Sequence, residues 1–416
     1  MSWNKPQRTR VAARTIRRGS LLPLYPSFGL STLSYRGIFF LLLVICSFSV
    51  ASDEHRSPAN IIGSAHSMDL QHSPTWLGLL LFEDETATSK IVSESFFLAS
   101  SGNVDAGAEL DEAISALFTY PVKGDEDHPV CRFPARYIWL DRKLGLPEVR
   151  RVLADCDGYR KWNRQGGISS VSIVFSTGYL KNPASYYGHI LIKFNSNEDI
   201  PLMDASLDHG AILNKDDSLP VYIFKGLTGG YEAGFTHSVF YQKSHNYGEI
   251  ELRDLWEYQL SLTEAERELL IAHAWELIGN KTTYYFINEN CATAVADLLE
   301  VVLNEKLRRP GFPWMVPPTI FQSLHKMDQT SRPVIADVKL IPSRQTRFAA
   351  RYNALTEPEK ISLQEMIKQS SSADRLAIRE DSSQRVLATL LDYYRLRTLQ
   401  FPDDETYDRK VQDTLK

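Results

Sequence analysis

Asn182-Pro-Ala-Ser-Tyr-Tyr-Gly-His-Ile-Leu-Ile-Lys-Phe194 leads out of a turn straight into an apolar strand. Alternation puts Ile190, Ile192 and Phe194 on one face and His189, Leu191 and Lys193 on the other. Gly188 lets another chain or a substrate approach the backbone closely. Ser169-Ser-Val-Ser-Ile-Val-Phe-Ser176, just upstream, reads as a second strand. Ile200–Ser206 and Val221–Phe224 are shorter candidates, and Lys225–Phe235, rich in glycine and aromatics, reads as a tightly turning loop.

Helical patterns flank this block. Upstream, a helix starts at Ser73-Pro74 and runs through Phe82; others cover Ala108–Phe118 and Leu146–Asp155. Downstream, Thr263-Glu-Ala-Glu266 is a capping box opening a helix with the stripe Leu270, Ala274, Leu277 and Ile278. The next begins at Asn288-Glu-Asn-Cys291 and carries Val295, Leu298, Leu299 and Val302 on one face. After 326 the pattern is helical again, with a capping box at Thr356–Glu359 and a polar linker at Ser370–Ser372. The expected fold is therefore α+β, a small antiparallel sheet packed on helices. Its expected parts are an N-terminal signal or anchor (1–51), a helical region (52–165), a catalytic domain (166–325) and a helical C-terminal segment (326–416).

The chain has 416 residues, 43% hydrophobic and 23% charged, a balance that builds a globular core and excludes wholesale disorder. Seven of its 46 Lys and Arg lie in residues 1–51, which hold no Asp or Glu, so the remainder sets 39 basic against 51 acidic residues. A body carrying −12 is a poor partner for nucleic acid. The basic stretch leads to Gly37–Val50, an apolar run of about 13 residues against the roughly 20 needed to span a bilayer, and Ser49-Val50-Ala51 has the form of a cleavage site. These features read as an export signal, or as an anchor if the segment is retained.

Cleavage there removes Cys46 and leaves Cys131, Cys156 and Cys291. An odd number in an exported protein suggests one bridge and one thiol kept free. Cys131 and Cys156 lie close in sequence and are the expected pair; two reduced, packed cysteines are the alternative. A bridge would close a loop of about 25 residues and stabilise by about 3 kcal/mol.

Cys291 is the thiol left over. In the first turn of a helix, with Asn288 or Asn290 available as a cap, it faces unpaired N–H groups and the positive end of the dipole, which favours thiolate. The same amides can serve an oxyanion. A cysteine that merely docks the helix fits the position too. His189, at a strand end and off the main apolar face, is placed to meet a helix start across the sheet; a histidine bonded to solvent or backbone is the alternative. Together they allow an imidazole to take the proton and a thiolate to attack a carbonyl. No G-x-S-x-G elbow, P-loop, H-E-x-x-H or C-x-x-C motif is present, and nothing calls for a metal or cofactor.

Asn182–Phe194, Arg253-Asp-Leu-Trp-Glu-Tyr258 and Phe286-Ile-Asn-Glu-Asn-Cys291 resemble the Lnb N-terminal periplasmic domain family, as do Cys131–Arg136 and Lys225–Tyr231. The resemblance covers roughly residues 70–325. It implies a relative of circularly permuted papain-like enzymes, in which the histidine precedes the cysteine, and a role in bacterial lipoprotein N-acylation. It makes Cys291 the nucleophile and His189 its base. Asn182, Ser185 and Tyr187 would shape the pocket, and Asn290 is counted with them as substrate-binding. The orienting carboxylate is left open between Asp204 and Asp208; Asp204 is the first choice because it falls within the expected strand. The leading expectation is an exported cysteine acyltransferase that forms a thioester on Cys291, takes lipid or lipoprotein substrates and works at or near a membrane surface. A cell-wall peptidase or amidase using the same pair, and a non-catalytic lipid- or partner-binding envelope protein, are the alternatives. The oligomeric state is not readable.

Overall fold

The strand pattern around His189 closes into a seven-stranded antiparallel sheet, in the order Lys281–Tyr284, Tyr231–Val239, Ala205–Ala211, His189–Ser196, Ile168–Ser176, Leu255–Leu260 and Ile335–Ile341. In this computed structural model the described residues are 57–415, apart from 84–87, 120–125, 181–184, 198–199, 214–216, 287–288, 309–313, 331 and 369–383. The strands are β1 (Ile168–Ser176), β2 (His189–Ser196), β3 (Ala205–Ala211), β4 (Tyr231–Val239), β5 (Leu255–Leu260), β6 (Lys281–Tyr284) and β7 (Ile335–Ile341). Central β2 pairs with β1 and β3, in a register that sets Ser176 opposite His189 and Leu191 opposite Asp208.

Alternation in β1 and β2 divides their side chains between two cores. Ile173, Ile190, Ile192 and Phe194 join the main core. Val174 and Leu191 face the other way, into a smaller cluster with Phe240, Tyr247 and Leu255. The main core holds α1 (Pro58–Ser67), α2 (Pro74–Leu79), α3 (Ala106–Thr119), α4 (Pro134–Leu144) and α5 (Pro147–Leu153), which follow in the upstream helical region as expected. It also holds α8 (Glu264–Leu277), α9 (Cys291–Leu303) and α10 (Pro317–Thr330). The Thr263 capping box forms as read. Cys131 and Cys156 are bridged, with their Cα atoms 5.3 Å apart.

Three local expectations are corrected. Val221–Phe224 is not a strand but lies within α6 (Leu219–Thr228), which has Pro220 in its first turn and ends at Gly229 with φ +75°. A short apolar run looks the same in either element, and the flanking Pro and Gly were the deciding signals. The strand expected over Ile200–Ser206 starts only at Ala205, because Pro201 sets a 3₁₀ turn over Pro201–Met203. The segment after 326 is not all helix: β7 adds to the sheet beside β5, and Asp337-Val-Lys-Leu340 has the alternation of a strand. Helices α11 (Arg344–Asn353), α12 (Glu357–Lys368), α13 (Gln384–Gln400) and α14 (Glu405–Leu415) follow, with their own small core around Leu363, Leu390 and Tyr394. Among the described residues no helix is long and apolar enough to cross a membrane, and the apolar run Gly37–Val50 lies outside them.

Candidate active site

Cys291 opens α9, and Asn290 is its cap. The Asn290 Oδ1 accepts from the Ala292 N–H at 2.8 Å and the Thr293 N–H at 3.4 Å, while the Asn290 N–H donates to Thr293 Oγ1 at 2.7 Å. Its Nδ2 donates to the carbonyls of Phe286 and Met315 at 3.0 and 2.9 Å. Asn290 is thus buried, with its side chain engaged in holding the helix start. The cap also takes two of the amides expected to serve an oxyanion. Cys291 is a free thiol, 7% exposed.

His189 is the first residue of β2. Gly188 before it has φ +97°, and a Cβ there would lie 2.4 Å from the Phe175 ring and 2.7 Å from the Ser176 carbonyl. The glycine lets the chain press against β1, which fixes where the imidazole emerges. His189 Nε2 lies 2.5 Å from Asp208 Oδ1. The Cys291 side chain acts on the same imidazole from close by. With Nε2 taken by Asp208, Nδ1 is the ring nitrogen left for the sulfur. Burial disfavours the imidazolium, but Asp208 and then Cys291 outweigh it and raise the His189 pKa to about 10. Burial pushes the Asp208 carboxyl upward, yet His189 and Lys243 hold it well below the usual carboxylate range.

The carboxylate that meets His189 is Asp208, not Asp204. In an antiparallel pair the start of one strand lies beside the end of the next. Phe194 pairs with Ala205, so Asp204 sits at the far end of β2, about six residues or roughly 20 Å along the strand from His189. There its Oδ1 accepts from the Ser196 N–H and Oγ at 3.0 and 2.7 Å, and its Oδ2 lies 3.4 Å from Lys193 Nζ.

Two residues with no place in the sequence reading complete the surroundings. The helical turn α7 (Phe240–Ser244) runs on as a π-helical stretch, His245–Ile250. Lys243 Nζ donates to Asp208 Oδ2 at 2.6 Å. Tyr247, four residues on, sets its ring 5.8 Å from the His189 imidazole. The i, i+4 spacing was the available signal, but only the fold brings this turn to the site. Arg253, in the second motif of the resemblance, stacks its guanidinium 4.9 Å from the Tyr247 ring and donates to the carbonyls of Thr177 and Ser176 at 2.6 and 3.2 Å. It ties the end of β1 to the tyrosine beside His189.

On the other side of Cys291, Tyr284 is buried with Tyr231 and Ala233, against Phe286. His209, next to Asp208, is buried against Phe235 and Tyr284, and burial lowers its pKa to about 4. Gly226 of α6 lies flat on the Phe286 ring, whose backbone N–H donates to the Gly226 carbonyl at 2.8 Å. The outer face of that helix exposes Val221, Ile223, Phe224 and Leu227. Among the expected pocket residues, Ser185 accepts from the N–H groups of Tyr179 and Gly188 through its carbonyl, at 2.9 and 3.0 Å, and Tyr187 is exposed against Tyr186. Asn182 lies outside the described residues.

A capped helix that offers a thiol to a histidine–carboxylate pair defines a thiol–imidazole–carboxylate site. Residues 158–325 match the family model of the Lnb N-terminal periplasmic domain, a stretch that holds Cys291, His189, Asp208 and Lys243. Residues 68–143 match a domain of unknown function, DUF7843. No curated protein and no solved structure matches the chain. A periplasmic domain agrees with the export features of the N-terminus and supports an exported location in the envelope.

Proposed function

We propose that the protein is an exported cysteine-dependent acyltransferase acting on lipids or lipoproteins, with Cys291 as nucleophile, His189 as its proton carrier and Asp208 as the orienting group. The observation that carries this reading is one imidazole held between the Cys291 sulfur and the Asp208 carboxylate. The sulfur, its proton held by His189, adds to the carbonyl carbon of an ester. The developing oxyanion forms beside the Cys291 N–H. Collapse breaks the carbon–oxygen bond, the alcohol leaves with the His189 proton, and a thioester remains on Cys291. An amine then attacks the thioester, gives its proton to His189, and departs as an amide while the sulfur is released.

A thioester survives for transfer only where water is kept away. The exposed apolar face of α6, joined to the Phe286 loop that leads to Cys291, favours an acyl chain over a polar peptide as the group delivered there. It likewise favours work at a membrane surface. The test is to incubate the full chain with phospholipid vesicles carrying labelled acyl chains, then look for a hydroxylamine-labile acyl group on the Cys291 peptide. The expected result is labelling in the wild type and none in Cys291→Ser or His189→Ala. Undiminished acyl transfer by Cys291→Ser would reject the reading.

A further inference from the structure

Asp208 uses its two oxygens on two cations. Oδ1 meets His189 Nε2 at 2.5 Å, and Oδ2 meets Lys243 Nζ at 2.6 Å. A carboxylate held at one oxygen can rotate about its Cβ–Cγ bond; held at both, it cannot without breaking a charge-assisted hydrogen bond. The Asp208 and Lys243 side chains are only 15% and 21% exposed, so water competes weakly for either. Lys243 comes from a turn packed under the sheet, whereas His189 and Asp208 come from neighbouring strands. Its ammonium therefore clamps the pair from a third direction. The π-helical turn that follows is anchored from behind, where Arg344 and Arg347 of α11 both pair with Glu249.

We propose that Lys243 is a positioning residue of the site: its ammonium locks the Asp208 rotamer and balances its charge, so that the carboxylate holds the imidazole in line with the Cys291 sulfur. This rests on the reading of Cys291 and His189 given above. Lys243 does not touch the reacting atoms. The other titratable groups around Asp208 are His189 on β2, the adjacent His209, Tyr247 on the π-helical turn, Tyr284 on β6 and Cys291 beyond the imidazole. Arg253 faces Tyr247 and pairs with Glu251. Lys243 is the cation among them that bonds Asp208 without carrying its own proton to the sulfur.

The test needs no knowledge of the substrate. Iodoacetamide alkylates thiolate, so the pH dependence of Cys291 alkylation in the full, oxidised chain reports how well the site stabilises charge on sulfur. The rate is read on the Cys291 peptide by mass spectrometry. In Lys243→Met the loss of the cation leaves the site one charge more negative. The midpoint of the acid limb is expected to rise by about one pH unit, making alkylation about tenfold slower on that limb. Lys243→Arg keeps the charge and should restore the midpoint to within about 0.3 unit. An unshifted midpoint in Lys243→Met, or an equal shift in Lys243→Arg, overturns the proposal. If Lys243→Met does not accumulate as folded protein, Lys243→Gln carries the same comparison. His189→Asn separates the two levels. If Cys291 alkylation ignores His189, the thiol–imidazole reading itself fails. If only the Lys243 variants leave the profile unchanged, that reading stands and the positioning role falls.

Discussion

Asp204 and Asp208 lie four residues apart on the same stretch of chain, one just before β3 and one at its middle, and each is paired with a lysine, yet the two do different things. At Asp204, Lys193 is held by both Asp204 and Glu257, and Ser196 takes the other Asp204 oxygen. The Lys193 and Asp204 side chains are 4% and 3% exposed. Each of these groups is held in a buried ion pair or hydrogen bond. At Asp208, one oxygen is given to an imidazole that in turn meets a free thiol. A carboxylate–lysine pair is thus structural or chemical according to what stands across from it. The difference lies in strand register, not in the local sequence of either aspartate.

Substitutions can break that comparison. The largest expected effect is loss of the nucleophile or its partner: Cys291→Ser and His189→Ala should lower acyl transfer by about 10⁴-fold. Asp208→Asn should follow at about 10³-fold, because the imidazole loses the acceptor that sets its orientation. Asp204→Asn should leave turnover per folded molecule within about twofold. Its effect should instead appear in urea unfolding, as a loss of about 1–3 kcal/mol from weakened support of Lys193 and Ser196. Reversed effects for the two aspartates would overturn the assignment. Gly188→Ala should destabilise by about 2–4 kcal/mol, since its φ is left-handed and a Cβ would strike the Phe175 ring.

Stability should also carry the mark of His189. Its folded pKa is raised to about 10 from an ordinary value near 6.5. The charged imidazole therefore stabilises the fold fully below pH 6.5, and that contribution is lost as pH rises through 10. The unfolding free energy of the wild type minus that of His189→Gln should fall steadily across this window. A difference that does not change between pH 6.5 and 10 would contradict the geometry. The smallest effect should come from Tyr187→Ala, within about twofold on turnover, because the ring is exposed against Tyr186.

What could be read in advance follows the range of the interactions involved. The strand at His189, the capped helix at Cys291 and the Cys131–Cys156 bridge all carry local signals, and each is present in the fold. Asp208 was visible only as an alternative, because choosing between it and Asp204 requires the start of β3, which Pro201 delays. The role of Asn290 was half legible: its capping was expected, but the two carbonyls that occupy its amide come from Phe286 and Met315. Lys243 and Tyr247 had no local signal beyond their spacing. They reach the site because a π-helical turn packs against β1, β2 and β5, a tertiary event with no periodicity of its own. The sequence of α6 reads as strand and loop because a short apolar run is ambiguous until its caps are weighed.

The most direct test of the central claim is a ¹⁵N NMR titration of His189 in histidine-labelled protein, with the resonance assigned by its loss in His189→Asn. If the carboxylate and the sulfur hold the ring as this account requires, His189 remains protonated at pH 8 and titrates near pH 10. A midpoint near the ordinary 6.5, unmoved by Asp208→Asn, would show that neither group acts on the imidazole and would contradict the assignment of the site.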